Sequence, residues 1–144
     1  MSQRIHVDAN VILRFLRNDD PEQSPIAAAL FDRAQSGQVK LLVSAVTVAE
    51  VFYVLASVYN LPRPETASIL HTLLSSDLLA CNDLEIVLDA LKQITANKDS
   101  FGDAYLMATA GKTQDELASF DKGITSRKNI RVYPLASLQK AKGK

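Results

Sequence analysis

Cysteine is nearly absent from this sequence: Cys81 stands alone among 144 residues. A single thiol forms no internal disulfide, which points away from a stapled secreted fold and towards a reducing compartment. Only five glycines and five prolines occur, which excludes collagen-like and linker-rich disordered classes. No apolar run reaches the roughly 18–20 residues that a membrane span needs. The most apolar region, Leu41 to Leu61, is interrupted by Ser44, Thr47, Glu50, Ser57 and Asn60. The opening MSQRIHVDAN turns polar too early for a signal peptide. The expectation is a cytoplasmic protein. Neither G-x-G-x-x-G nor G-x-x-x-x-G-K-[ST] occurs, so the common nucleotide-binding loops are excluded.

The composition present, 47% apolar and 22% charged, suits one compact domain with a real core. Basic and acidic groups balance at 16 each, yet unevenly along the chain. Residues 65–121 carry three basic and ten acidic groups, whereas residues 122–144 carry seven basic groups and no acid. An acidic middle and a basic end suit two jobs, cation binding and contact with a polyanion. The expected organisation is one domain over residues 1–136 and a short basic, disordered tail over 137–144.

Short β-rich runs alternate with helical periodicities. Arg4–Val7 reads as a strand, followed by a short helix with Val11, Ile12, Phe15 and Leu16 on one face. Pro21 and Pro25 open a second helix that Gly37 ends. Val39–Val43 reads as a buried strand, and Ser44 caps a helix running to about Tyr59. NLPRPE breaks the chain before a helix over Pro64–Ser75. Leu78–Cys81 is a strand, Asp83 opens a helix, and Phe101 to about Gly111 forms an Ala-rich one. Leu117–Phe120 and Arg131–Tyr133 are the last candidate strands. The alternation predicts an α/β fold, a central parallel sheet with helices on both faces.

Four carboxylates stand out. Glu50 is the only charged residue or histidine between Leu41 and Pro62. A buried carboxylate needs a partner, so Glu50 either meets a cation or is a solvent-facing acid favoured near its helix N-terminus. Asp8 ends the first strand, as a helix N-cap or as a ligand. Asp103 lies in the first turn of its helix and Asp121 follows LASF; a dipole-favoured acid and a turn residue are their plain alternatives. In a parallel α/β sheet, strand C-termini and helix N-termini share one edge, where ligands bind. Four acids meeting there without a basic partner repel, and a hard divalent cation, Mg²⁺ or Mn²⁺, resolves the repulsion. Zinc fits poorly, because His6, His71 and Cys81 show no ligand spacing. Both histidines read as structural or surface residues, and Cys81 as an inert core thiol. Tyr53, Tyr59 and Phe52 read as core or dimer contacts.

IHVDANVILRFL, TVAEVFYVL, SFGDAYLMATA and LASFDKGI, in this order and spacing, resemble the motifs of PIN-domain proteins, in particular the VapC-type toxins of toxin–antitoxin pairs. The resemblance implies a PIN-like three-layer α/β/α sandwich and a Mg²⁺- or Mn²⁺-dependent ribonuclease. It assigns the catalytic and metal-binding site to Asp8, Glu50, Asp103 and Asp121, with Asn10 and Ser119 holding carboxylates in place. FDKGI lacks the aromatic that often follows the last acid in the family. Asp99, one turn before Asp103, is a further candidate for the acidic rim. Lys122, Arg127, Lys128 and Arg131 are candidate RNA contacts. The implied partners are RNA, a cognate antitoxin and a second copy of the chain, for which the apolar stretches Val51–Tyr59 and Ile69–Leu74 offer surface. The alternatives are a PIN-like module that binds RNA or protein without cutting, and an unrelated phospho-acceptor receiver domain suggested by Asp19–Asp20. The receiver fits poorly, because that pair follows a helix and not a strand.

Overall fold

A computed structural model describes residues 3–138 of the chain. Three strands form a parallel sheet: β1 (Gln3–His6), β2 (Val39–Val43) and β3 (Leu79–Cys81), in the order β1-β2-β3. Register places Ile5 beside Leu41 and Leu41 beside Leu79. Long helical connections are what a parallel sheet requires. Helices α1 (Ala9–Arg17) and α2 (Gln23–Gln35) join β1 to β2. Helix α3 (Ala45–Tyr53), a π-helical turn (Val54–Val58) and helix α4 (Arg63–Ser75) join β2 to β3. Helices α5 (Leu84–Ala96) and α6 (Phe101–Thr113) follow, and the short α7 (Lys122–Thr125) comes last. The result is the expected α/β sandwich.

The core centres on β2, buried at every position but Lys40, whereas β1 is mostly exposed. Leu41, Leu42 and Val43 are all buried, as befits a central parallel strand covered on both faces. Ile12, Val48, Val51, Leu55, Leu70, Leu74, Val87, Leu91 and Ile94 pack in the same cluster. Phe31 stacks on Phe15 with ring centroids 3.9 Å apart, closing α2 onto α1. Gly37, at φ 81°, makes the left-handed turn from α2 into β2.

Two expectations are corrected. The helix expected to continue to Tyr59 changes form after Tyr53. Its hydrogen bonds widen there, with the Tyr59 N–H donating to the Val54 carbonyl at 3.0 Å and the Leu61 N–H to that of Leu55 at 3.0 Å. The last two candidate strands also fall short: 117–120 and 131–133 share only an isolated parallel bridge, Leu117 with Val132. The Leu117 N–H donates to Arg131 and its carbonyl accepts from Tyr133. Beyond that the chain turns away, the Asp121 N–H going to Ser119 Oγ at 3.0 Å.

Among the described residues the sheet therefore has no reversal of strand order, and the crevice expected at such a reversal is not formed within it. The C-terminal segment instead packs on α6 through a separate small cluster of Met107, Leu117 and Ile124. Of the expected tail, 137–144, only Ser137 and Leu138 lie within the described residues.

Candidate active site

Asp8 leaves β1 and caps α1. Its Oδ1 accepts from the Val11 N–H at 3.1 Å, so the plain role foreseen for it is filled by one oxygen while the carboxylate stays exposed. It lines a cleft of about 420 Å³ between α1 and α2, with Asn10, Arg14, Gln23 and Ile26. Asn10 shares that cleft but makes no hydrogen bond to the Asp8 carboxylate among the described residues.

Ser44 caps α3, its Oγ accepting from the Thr47 N–H at 3.2 Å. Glu50 lies further along this helix and is exposed, as in the solvent-facing alternative for it. Val46 (73% exposed), Glu50 and Tyr53 (66% exposed) occupy one outward face at helical spacing. Tyr53 is thus no core residue, whereas Phe52 on the opposite side is buried beneath the Arg63 guanidinium. Tyr59 is half-buried, donating to Asp19 Oδ2 at 2.9 Å beneath Arg17. That hydrogen bond to Asp19 holds the Tyr59 hydroxyl above the usual tyrosine range.

Asp103 sits half-buried in the first turn of α6. Ser100 fixes this turn: its Oγ accepts the Asp103 N–H at 3.0 Å. Ser100 is absent from the candidate residues above, although Ser-Phe-Gly-Asp carries the spacing of a capping box. Asp121 caps α7, with Oδ1 accepting the Gly123 N–H at 2.8 Å. A Cβ at residue 123 would lie 3.1 Å from that oxygen, so glycine gives the carboxylate room. Ser119 holds the backbone of Asp121 and not its carboxylate.

Helix α3 packs against both α1 and α6, so the carriers of Asp8, Glu50 and Asp103 are neighbours. Asp121 is joined to this group through α6, by the small apolar cluster and by the Arg127–Asp99 ion pair. None of the four carboxylates takes part in an ion pair among the described residues. Glu50 and Asp103 accept no side-chain hydrogen bond there either. The donor set is all oxygen and unneutralised, which matches a hard divalent cation in chemistry. In arrangement the set is looser: among the described residues no three Asp, Glu, His or Cys side chains gather closely enough to hold a metal.

Asp99 has a different role from the acidic rim. It pairs with Arg127 at 2.6 Å, with side-chain exposures of 12% and 28%. The Arg63 guanidinium donates to the Asp99 carbonyl. Arg127 is therefore engaged within the fold, and Arg131 donates to the Gln114 carbonyl at 2.6 Å. Lys122 and Lys128 are exposed without an acidic partner among the described residues. His6 is exposed on β1, and His71 lies 3.4 Å from Ser75 Oγ.

The PIN domain family matches residues 5–129, a span that includes all four acids. The chain belongs to this family. PIN domains are commonly nucleases, typically use divalent metals, and imply RNA as substrate. No curated protein matches the chain. Among the described residues no helix is long and apolar enough to cross a membrane.

Proposed function

We propose that this PIN domain is a metal-dependent endoribonuclease, cytoplasmic, and the toxin of a toxin–antitoxin pair. The observation that carries the nuclease reading is the set of unneutralised carboxylates on α1, α3 and α6 within a PIN domain. Asp8, Glu50 and Asp103 would hold Mg²⁺ or Mn²⁺, and Asp121 would complete the set or orient the attacking water. The ion, when bound, supplies Lewis acidity towards the phosphate and the water. The chain does the rest. Ser100 and the Val11 N–H fix the turns that bear Asp103 and Asp8. Lys122, Lys128 and Arg131 attract the phosphate backbone, supplying affinity more than sequence choice.

The antitoxin and homodimer readings rest on the motif resemblance, supported by apolar side chains left outside the core, Val46, Tyr53 and Val58 on and after α3. One observation favours a module that binds without cutting, namely that the acids are not gathered into a metal cage among the described residues. A panel of single-stranded and structured RNAs, incubated with Mg²⁺, Mn²⁺ or EDTA, separates the two. Cutting that needs metal is expected; intact RNA after incubation with well-folded, metal-loaded protein would move the assignment to the binding module.

A further inference from the structure

Phe120 is 92% exposed, the most exposed of the large apolar side chains among the described residues. It stands directly before Asp121, with Lys122 on its other side. The backbone around it is held: the Asp121 N–H donates to Ser119 Oγ at 3.0 Å, and the Gly123 N–H to Asp121 Oδ1 at 2.8 Å. The Thr125 N–H also returns to the Asp121 carbonyl at 3.0 Å. An aromatic ring is therefore presented to water from a fixed turn, where it contributes nothing to the small cluster of Met107, Leu117 and Ile124 beneath.

Beyond Asp121 the chain carries charge of one sign. Residues 122–131 contain Lys122, Arg127, Lys128 and Arg131 and no acid. Arg127 is spent on Asp99, but Lys122 and Lys128 are exposed and unpaired among the described residues. A solvated aromatic on a held turn, followed in the chain by unpaired cations, is a combination that single-stranded nucleic acid recognises: bases stack on the ring and phosphates meet the ammonium groups. Duplexes keep their bases stacked inside and cannot use such a ring.

We propose that Phe120 is a stacking platform for one unpaired base of single-stranded RNA, with Lys122 and Lys128 attracting the adjoining phosphates. The substrate class rests on the nuclease reading, and the stacking itself needs no cleavage. Because the backbone that carries the ring is held before binding, less ordering is lost when a base lands on it.

The chain has no tryptophan, so Phe120→Trp places a sole indole reporter on the turn. The full-length protein is titrated in EDTA with a single-stranded oligoribonucleotide, with its duplex and with inorganic polyphosphate. Saturable quenching by the single strand, and little by the duplex or polyphosphate, is expected. Phe120→Ala should bind the single strand roughly five- to a hundredfold more weakly, with an unchanged melting temperature.

Unchanged affinity in Phe120→Ala, or saturated binding without quenching, overturns the proposal. So does a fall from dimer to monomer in Phe120→Ala, which would assign the ring to a second copy. Quenching without cleavage in Mg²⁺ would leave the platform standing and remove only the nuclease reading. If well-folded protein binds no single-stranded RNA, the platform falls.

Discussion

Arg127 and Asp99 form a 2.6 Å ion pair that ties the segment bearing Asp121 to the loop that launches the helix bearing Asp103. Arg63 reinforces the same loop through the Asp99 carbonyl. One Asp99 oxygen, Oδ2, is buried without a hydrogen-bond partner, so the Asp99 charge depends heavily on Arg127. The pair is the polar counterpart of the small apolar cluster on α6, and together they fasten the segment from Leu117 to Arg127.

Removing the cation leaves a mostly buried carboxylate unpaired. Arg127→Ala is expected to lose about 1–3 kcal/mol, below the figure for a fully buried pair because Arg127 is partly solvated. Urea unfolding measures it. Asp99→Asn combined with Arg127→Ala should lose less than the two single losses added together. Strict additivity would show that the pair contributes nothing.

Ser100 positions Asp103 through its backbone. Ser100→Ala is expected to lower stability by about 1 kcal/mol, the usual loss for an N-cap. Cleavage should fall with it, and Ser100→Asp, which caps equally well, should restore stability. A Ser100→Ala protein with wild-type stability would remove the cap from the account.

The Asp20 carboxyl is held below the ordinary aspartate range, chiefly by the Gln23 and Glu22 N–H groups, at 2.7 and 2.9 Å, with help from Arg14. A folded-state pKa below the unfolded value favours the fold when the group is ionised. That contribution is complete above the unfolded value near 4 and fades as pH falls through the lower folded value. Melting temperatures between pH 6 and pH 3 should therefore drop less steeply in Asp20→Asn than in the wild type. Equal slopes would contradict it.

Burial pushes the Cys81 thiol up from its ordinary value. Less thiolate at neutral pH means slower alkylation. Iodoacetamide at pH 7.5 should modify Cys81 more slowly in the folded protein than in urea, by more than access alone explains when the rate is followed up to pH 10.

The strands and caps were legible in the sequence because each rests on local chemistry. VKLLV is apolar at every position but the exposed Lys40, and Ser44 and Asp8 stand where helices need an acceptor. Tertiary relationships were less visible. The apolar neighbours of Glu50 leave open whether it meets a cation or faces solvent, because Val46 and Tyr53 share its outward face and composition shows no contrast between the two sides of α3. The π-helical turn at Val54–Val58 follows the same apolar pattern as the α-helix before it, so periodicity does not reveal it. Asp99 and Arg127 are 28 residues apart, and no spacing rule joins them. LASF has the composition of a strand, but only Leu117 finds a bridging partner. Asp121 is therefore carried by a segment fastened to α6 and not by the sheet.

The unneutralised carboxylates of this PIN domain are proposed to hold a metal for RNA cleavage. The most direct measurement compares wild type with Asp8→Asn and Asp103→Asn on the best-cut RNA, in Mg²⁺ and in EDTA. Melting temperatures recorded alongside verify folding. The account predicts metal-dependent cutting by the wild type, reduced at least about a hundredfold in each variant, with both variants as stable as the parent. Metal-dependent cleavage undiminished in both folded variants would contradict it.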